Sequence, residues 1–162
     1  MRKPTQTGLV ARRARLNRLL SESEREYVAR AGTTTPYWLG PLITTRQAHF
    51  DFVDEHCTGR AKSECRQGTV PVDSFAANPW GLFNVHGNVL EWTEDCYVNK
   101  NASNPGDGNA RSGKAECSRV VRGGAFDYGP RSLRAAYRNG LEPESRSWNL
   151  GFRLARVLRS TR

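Results

Sequence analysis

The stretch from Asn78 to Asp95, N-P-W-G-L-F-N-V-H-G-N-V-L-E-W-T-E-D, constrains the fold more than any other part of the chain. Trp80, Phe83 and Trp92 are interleaved with Gly81, Gly87, Asn84, Asn88 and a run of carboxylates. Pro79 and the two glycines break any 3.6-residue period, and the pattern is not a plain strand either. It reads as an ordered loop with buried aromatics and sharp bends at glycines. Ordered irregular backbone needs partners for its polar groups, from hydrogen bonds, water or a metal ion. Asn84, Glu91 and the carbonyls between them are hard oxygen donors of the kind calcium takes. The alternative is a folded loop with no metal.

The rest of the chain must supply a core for such a loop. Its 162 residues suit one domain, and a hydrophobic share of 37% with 15 glycines and 8 prolines implies a compact core and much irregular chain. No run approaches the roughly 18 apolar residues of a membrane helix. The basic start lacks the apolar segment of a signal peptide, so a soluble bacterial-type protein of unassigned location is expected. The net charge of +9 is concentrated: residues 1–18 carry six basic residues and no acid, leaving +3 for the remainder. That is a solvated basic arm, with weak nonspecific attraction to polyanions and no specific nucleic-acid site.

Four cysteines, Cys57, Cys65, Cys96 and Cys117, form no C-x-x-C, which argues against a zinc ribbon or a thioredoxin-type redox site. Cys96 and Cys117 bracket a polar excursion that a disulfide would restrain, and Cys57 and Cys65 form a similar pair. Two disulfides in an oxidising compartment and four reduced thiols stand equal.

Ser21-Glu22-Ser23-Glu24 is a capping-box signature. It opens a helix from Glu22 to Ala31 with Tyr27 and Val28 inward, Arg30 near its end and Gly32 just past it. Short strands are expected at Thr33–Gly40, at Thr69–Val72 as an edge segment, at Arg119–Phe126 running into Gly123-Gly124, and at Leu133–Arg138 with its arginines outward. Asn149–Arg156 closes the domain with Leu150, Phe152 and Leu154 on one face and Arg153 opposite. The reading is α+β.

Taken in order, R-L-L-S-E-S-E-R-E-Y-V-A-R-A-G-T, P-Y-W-L-G, T-V-P-V-D-S-F, the stretch 78–95, R-V-V-R-G-G-A-F, L-R-A-A-Y-R-N and N-L-G-F-R-L-A-R closely resemble the formylglycine-generating enzyme, or sulfatase-modifying factor, family. The resemblance covers about Arg18 to Arg156 and implies an irregular fold like that of C-type lectins. It divides the chain into an arm (1–17), a partial domain (18–158) and a tail (159–162). The family's upstream strands and helix find no counterpart in residues 1–17, so a truncated or split domain is expected.

Family enzymes oxidise a sulfatase cysteine with copper and oxygen, and others are iron-dependent sulfoxide synthases. The oxidase's copper-binding cysteine pair lies between R-G-G and G-F-R. The matching interval here, Ala125–Leu150, contains no cysteine, and copper(I) requires soft thiolates, so copper is not expected. Ala125 stands where the family commonly has serine. The resemblance does carry over a structural calcium, held by Asn84, Gly87, Val89 and Glu91. It gives no second calcium site, because His49 replaces an asparagine. Further departures are Arg25 for tryptophan in the helix, Leu90 for tryptophan, and Leu20 where proline is common; Arg25 forfeits aromatic burial.

His86 reads as a hydrogen-bonded loop histidine in preference to a metal ligand or proton shuttle. His49, His56, Cys57 and Cys65 match no standard zinc spacing. Glu91, Glu94 and Asp95 read as structural carboxylates before acid–base groups. Arg122, Arg131, Arg134 and Arg138 read as solvated strand faces before an anion groove. Tyr128, Arg131, Tyr137 and Trp148 lie where the family builds its active or ligand surface and are the candidates for contacting an unidentified protein or small ligand. The expected function is a family domain with a binding, structural or vestigial role. The alternatives are a family oxidoreductase completed by another chain or metal, and a ligand-display domain.

Overall fold

The computed structural model of the chain describes residues 17–51, 68–98, 107–111, 113 and 116–156. Most of the basic arm, the tail, and His56, Cys57 and Cys65 lie outside these residues. Strand β1 (Asn17–Leu19) pairs antiparallel with β6 (Leu154–Arg156). Between them lie helix α1 (Glu22–Arg30) and a four-stranded sheet. That sheet comprises β2 (Leu90–Cys96), β3 (Arg119–Arg122), β4 (Arg138–Leu141) and β5 (Leu150–Phe152), in the order β4-β3-β2-β5. β2 runs antiparallel to β3 and parallel to β5. Most of the remaining described chain is turns and loops, and the α+β class holds.

Helix α1 forms where the capping box places it. The Ser21 side chain accepts from the Glu24 amide, Glu24 reaches back to the Ser21 amide, and Ala31 ends the helix in the left-handed region before Gly32. Its inward face differs from expectation. Tyr27 is 66% exposed and meets Trp80 in a tilted ring contact, whereas Arg25 and Ala29 are buried. The inward stripe is Glu22, Arg25, Glu26 and Ala29, at the i, i+3, i+4, i+7 spacing of a helix face, and it is charged.

The partner of that stripe explains it. β2 is a strand where a loop was expected, because its buried residues include Glu91, Thr93 and Asp95 as well as Leu90 and Cys96. Period-2 alternation puts Glu91 and Thr93 on one face and Leu90 and Trp92 on the other. Leu90 and Trp92 join Val121, Ala125, Tyr128, Leu141 and Leu150 in an apolar cluster. Charges therefore meet charges across the helix–sheet contact. Arg138 binds Glu22 through two hydrogen bonds of 2.6 and 2.5 Å, and Arg122 binds Glu26. Asp95 accepts from the Glu22 amide at 2.6 Å, adding a carboxylate to the helix N-terminus.

Three strands differ from the sequence reading. Thr33–Gly40 is a tight turn closed by a Tyr37–Gly40 bridge. Leu133–Arg138 ends a 3-10 turn, Pro130–Leu133, and β4 begins only at Arg138, whose guanidinium folds back onto Glu22. Thr69–Val72 forms no strand. Val70 instead exchanges hydrogen bonds with the Asn88 side chain, which stands in for a neighbouring strand.

Candidate functional site

The loop before β2 is wired into the fold through its backbone. Gly87 donates to Gly123, Asn88 to His49, Leu90 to Asn149, and Phe126 to Asn88. Asn84, Gly87 and Asn88 all have positive φ. At Gly87 a Cβ would lie inside the His49 carbonyl, so glycine is required there on two counts. The aromatics are less buried than expected, with Trp80 and Phe83 exposed.

Beneath the loop, His86 and Glu91 are both buried. His86 Nε2 accepts from the Trp38 amide at 3.3 Å, which leaves the proton on Nδ1, 2.7 Å from the Leu133 carbonyl. Both nitrogens are thereby used in the neutral ring. Burial, reinforced by Arg25, pushes its pKa down to about 4. This is a structural histidine. Burial alone would push the Glu91 carboxyl up, but Arg25 and Arg153 hold it below its ordinary value. Arg25 Nε donates to Glu91 Oε2 at 2.8 Å, and Arg153 reaches Oε2 at 3.0 Å and Oε1 at 2.8 Å.

The residues expected to hold calcium are thus only partly directed at one point. Asn84 Nδ2 donates to the Val72 carbonyl, the Gly87 carbonyl accepts from the Val89 amide, and both oxygens of Glu91 are engaged by guanidinium groups. With both Glu91 oxygens already receiving guanidinium N–H donors, the set's unengaged oxygens are neutral amide and carbonyl ones. Among the described residues, no group of three His, Cys, Asp or Glu side chains could hold a metal.

Arg153 lies opposite Leu150, Phe152 and Leu154 as expected, yet Phe152 and Leu154 are exposed, while half-buried Arg153 turns onto Glu91. The other carboxylates have separate uses: Asp95 accepts from the Glu22 and Arg111 amides, and Glu94 is exposed. Arg122 and Arg138 belong to the helix–sheet ion pairs, whereas Arg131 and Arg134 are exposed. Cys96 and Cys117 form a disulfide across 21 residues of sequence, resolving the question left open for that pair.

The remaining candidates lie on the segment after β3. Tyr128 is half-buried against the apolar cores, and burial together with nearby Tyr137 pushes its hydroxyl up. The Tyr137 carbonyl accepts from Arg122. Trp148 is 67% exposed and meets Phe126 edge-on at 4.8 Å, and Phe126 in turn stacks on buried His49. Sequence reasoning missed Asp51 and Asp127 beside this face. Burial, with Asp127 nearby, raises the Asp51 carboxyl, and Asn149 donates to both oxygens of Asp127. No sequence signal marks them, since 76 residues separate the two. Arg25 and Arg153 were missed as partners of Glu91, although a charged residue on the inward stripe of α1 was itself a signal.

This geometry has counterparts in known proteins. Residues 10–158 match the sulfatase-modifying factor enzyme 1-like domain. The formylglycine-generating enzyme of Mus musculus is 32% identical over 145 residues, covering 85% of this chain and 38% of that protein. The structure of PvdO from Pseudomonas aeruginosa is 31% identical with a TM-score of 0.75, over 93% of this chain and 57% of that one. Treponema denticola variable protein 1 is 26% identical with a TM-score of 0.65, over 85% of this chain and 46% of that one. The chain therefore spans less than half the length of the mouse enzyme and a little over half of PvdO. With the family's motifs in order and its fold in place, the chain belongs to the sulfatase-modifying factor enzyme 1-like family.

Proposed function

We propose that this chain is a binding domain of the sulfatase-modifying factor fold and not a copper oxidase. The observation that carries the reading is the cysteine-free interval Ala125–Leu150, where the resemblance puts the copper-binding pair. Cys96 and Cys117 do not replace that pair. Both precede β3 and Arg122 in sequence, and their sulfurs are bonded to each other. Without thiolates in that interval, the position of the family's copper pair offers copper(I) no soft ligand.

What the segment offers instead is a surface. Trp148 projects an exposed aromatic ring against Phe126, whose chain neighbours are exposed Asp127 and, two residues on, half-buried Tyr128, and Arg131 is exposed. An exposed aromatic with polar neighbours is the composition of a contact surface for a protein or small ligand. The name of the Treponema relative, a variable protein, is compatible with such a role. Among the described residues no helix is long and apolar enough to cross a membrane.

The test supplies the purified chain with copper, oxygen and a sulfatase-type cysteine peptide. Mass spectrometry is expected to find the cysteine unchanged. Conversion to formylglycine overturns the proposal. A second reading, an oxidoreductase completed by another chain or metal, draws on the identity to formylglycine-generating enzymes across most of the chain. It predicts that turnover appears when a partner chain is added.

A further inference from the structure

We infer that the Arg25 guanidinium is the resident cation of the Asn84–Glu91 loop and takes the place of the divalent ion that the loop's resemblance implies. The Glu91 side chain is only 5% exposed in its ion pairs. Its two oxygens receive three N–H donors, one from Arg25 and two from Arg153. The same guanidinium groups also take up loop carbonyls. Arg25 Nη2 donates to Val85 at 2.9 Å, and Arg153 Nη2 donates to Phe83 at 2.9 Å. A carboxylate and two carbonyls of one loop are thus gathered around organic cations.

Charge favours this arrangement over a metal. Arg25, Arg153 and Glu91 sum to +1. A divalent ion on Glu91 would raise that to +3 beside the buried Arg25 and Glu91, and burial strengthens such repulsion. The arginines cannot shed their charge to make room, because guanidinium stays protonated. The surrounding chain is shaped for Arg25. Gly123 has φ +96°, and a Cβ there would lie 2.7 Å from Arg25 Nη2. Arg25 also sits on the inward stripe of α1, so helix and loop are joined by the ion pair that fixes the loop. The loop then holds its shape without calcium and is indifferent to chelators.

Thermal unfolding of the full chain in millimolar calcium and in EDTA tests this directly. The two midpoints are expected to coincide. A calcium-dependent rise that EDTA reverses and that Glu91→Gln abolishes overturns the inference. A second arm replaces the cation. Arg25→Met leaves Glu91 short of a partner and is expected to lower the midpoint on the order of 10 °C. Arg25→Lys is expected to recover only part of the loss, because one ammonium cannot reproduce the planar fork between Glu91 and Val85. An Arg25→Met chain that melts with the wild type also overturns it.

Discussion

Two neighbouring regions of this domain use their side chains in opposite ways. The Asn84–Glu91 loop and the Ala125–Leu150 segment are tied together through backbone, with Phe126 donating to Asn88 and Leu90 to Asn149. In the loop, the chemically capable groups are turned inward and matched: His86 between Trp38 and Leu133, Glu91 between two arginines. In the segment, Trp148, Asp127, Arg131 and Arg134 face outward. The loop stabilises the fold; in the segment only the outward side chains can change at little cost in stability, because Ala125, Phe126, Leu133 and Ala135 belong to the core.

The largest effect expected from this contrast is on the loop side. Glu91→Ala leaves Arg25 buried, and half-buried Arg153 beside it, without their shared carboxylate, and breaking such a buried pair costs about 3–5 kcal/mol. Denaturant unfolding measures it, and a loss below about 1 kcal/mol would erase the distinction between the regions.

Acid sharpens the same contrast. Above pH 6.5 His86 is neutral in both states and contributes no pH dependence. As pH falls from 6.5 towards 4, the unfolded chain binds a proton that the folded chain refuses, so stability falls. The displacement to about 4 corresponds to about 3 kcal/mol, fully lost only below the folded value. Unfolding free energies across that window should flatten in His86→Asn relative to the wild type.

A smaller effect belongs to the helix that delivers Arg25. Ser21→Ala removes the cap on the Glu24 amide and a hydrogen bond to the Gly108 carbonyl, for about 1 kcal/mol. Helical circular dichroism and unfolding midpoints report it. The smallest effect is on the outer segment. Trp148→Ala should change stability by no more than about 0.5 kcal/mol, the range of ordinary surface substitutions. It should nonetheless abolish ligand capture by this face, which a comparison of wild-type and variant binding to the same candidate ligand measures.

Much of the scaffold was legible in the sequence because it depends on neighbours a few residues apart. The capping box of α1, its stop at Gly32 and the double glycine after β3 are local chemistry, and all three stand, with the helix ending one residue earlier than expected, at Arg30. The expectations that fail have two causes. Pro79, Gly81 and Gly87 argue for a loop through to Asp95, which hides the strand that starts at Leu90. Tyr27 and Val28 read as inward because apolar residues are taken to mark the buried face. In α1 and β2 that face is charged. A Glu-Arg-Glu stripe resembles a solvated surface until a complementary strand is known to cover it. The candidate site was half legible: the residue types of the loop were informative, but their partners were not.

The sequence by itself determined the family, the capped helix, the glycine turns and the absence of cysteine between Ala125 and Leu150. Only the tertiary structure decided what Arg25 does. As a substitution for tryptophan it looked like lost burial, yet it is among the most buried side chains of the domain. Its carboxylate partner lies 66 residues away in sequence. The sign and burial of an ion pair depend on what the fold brings within 3 Å, and no local pattern encodes that distance.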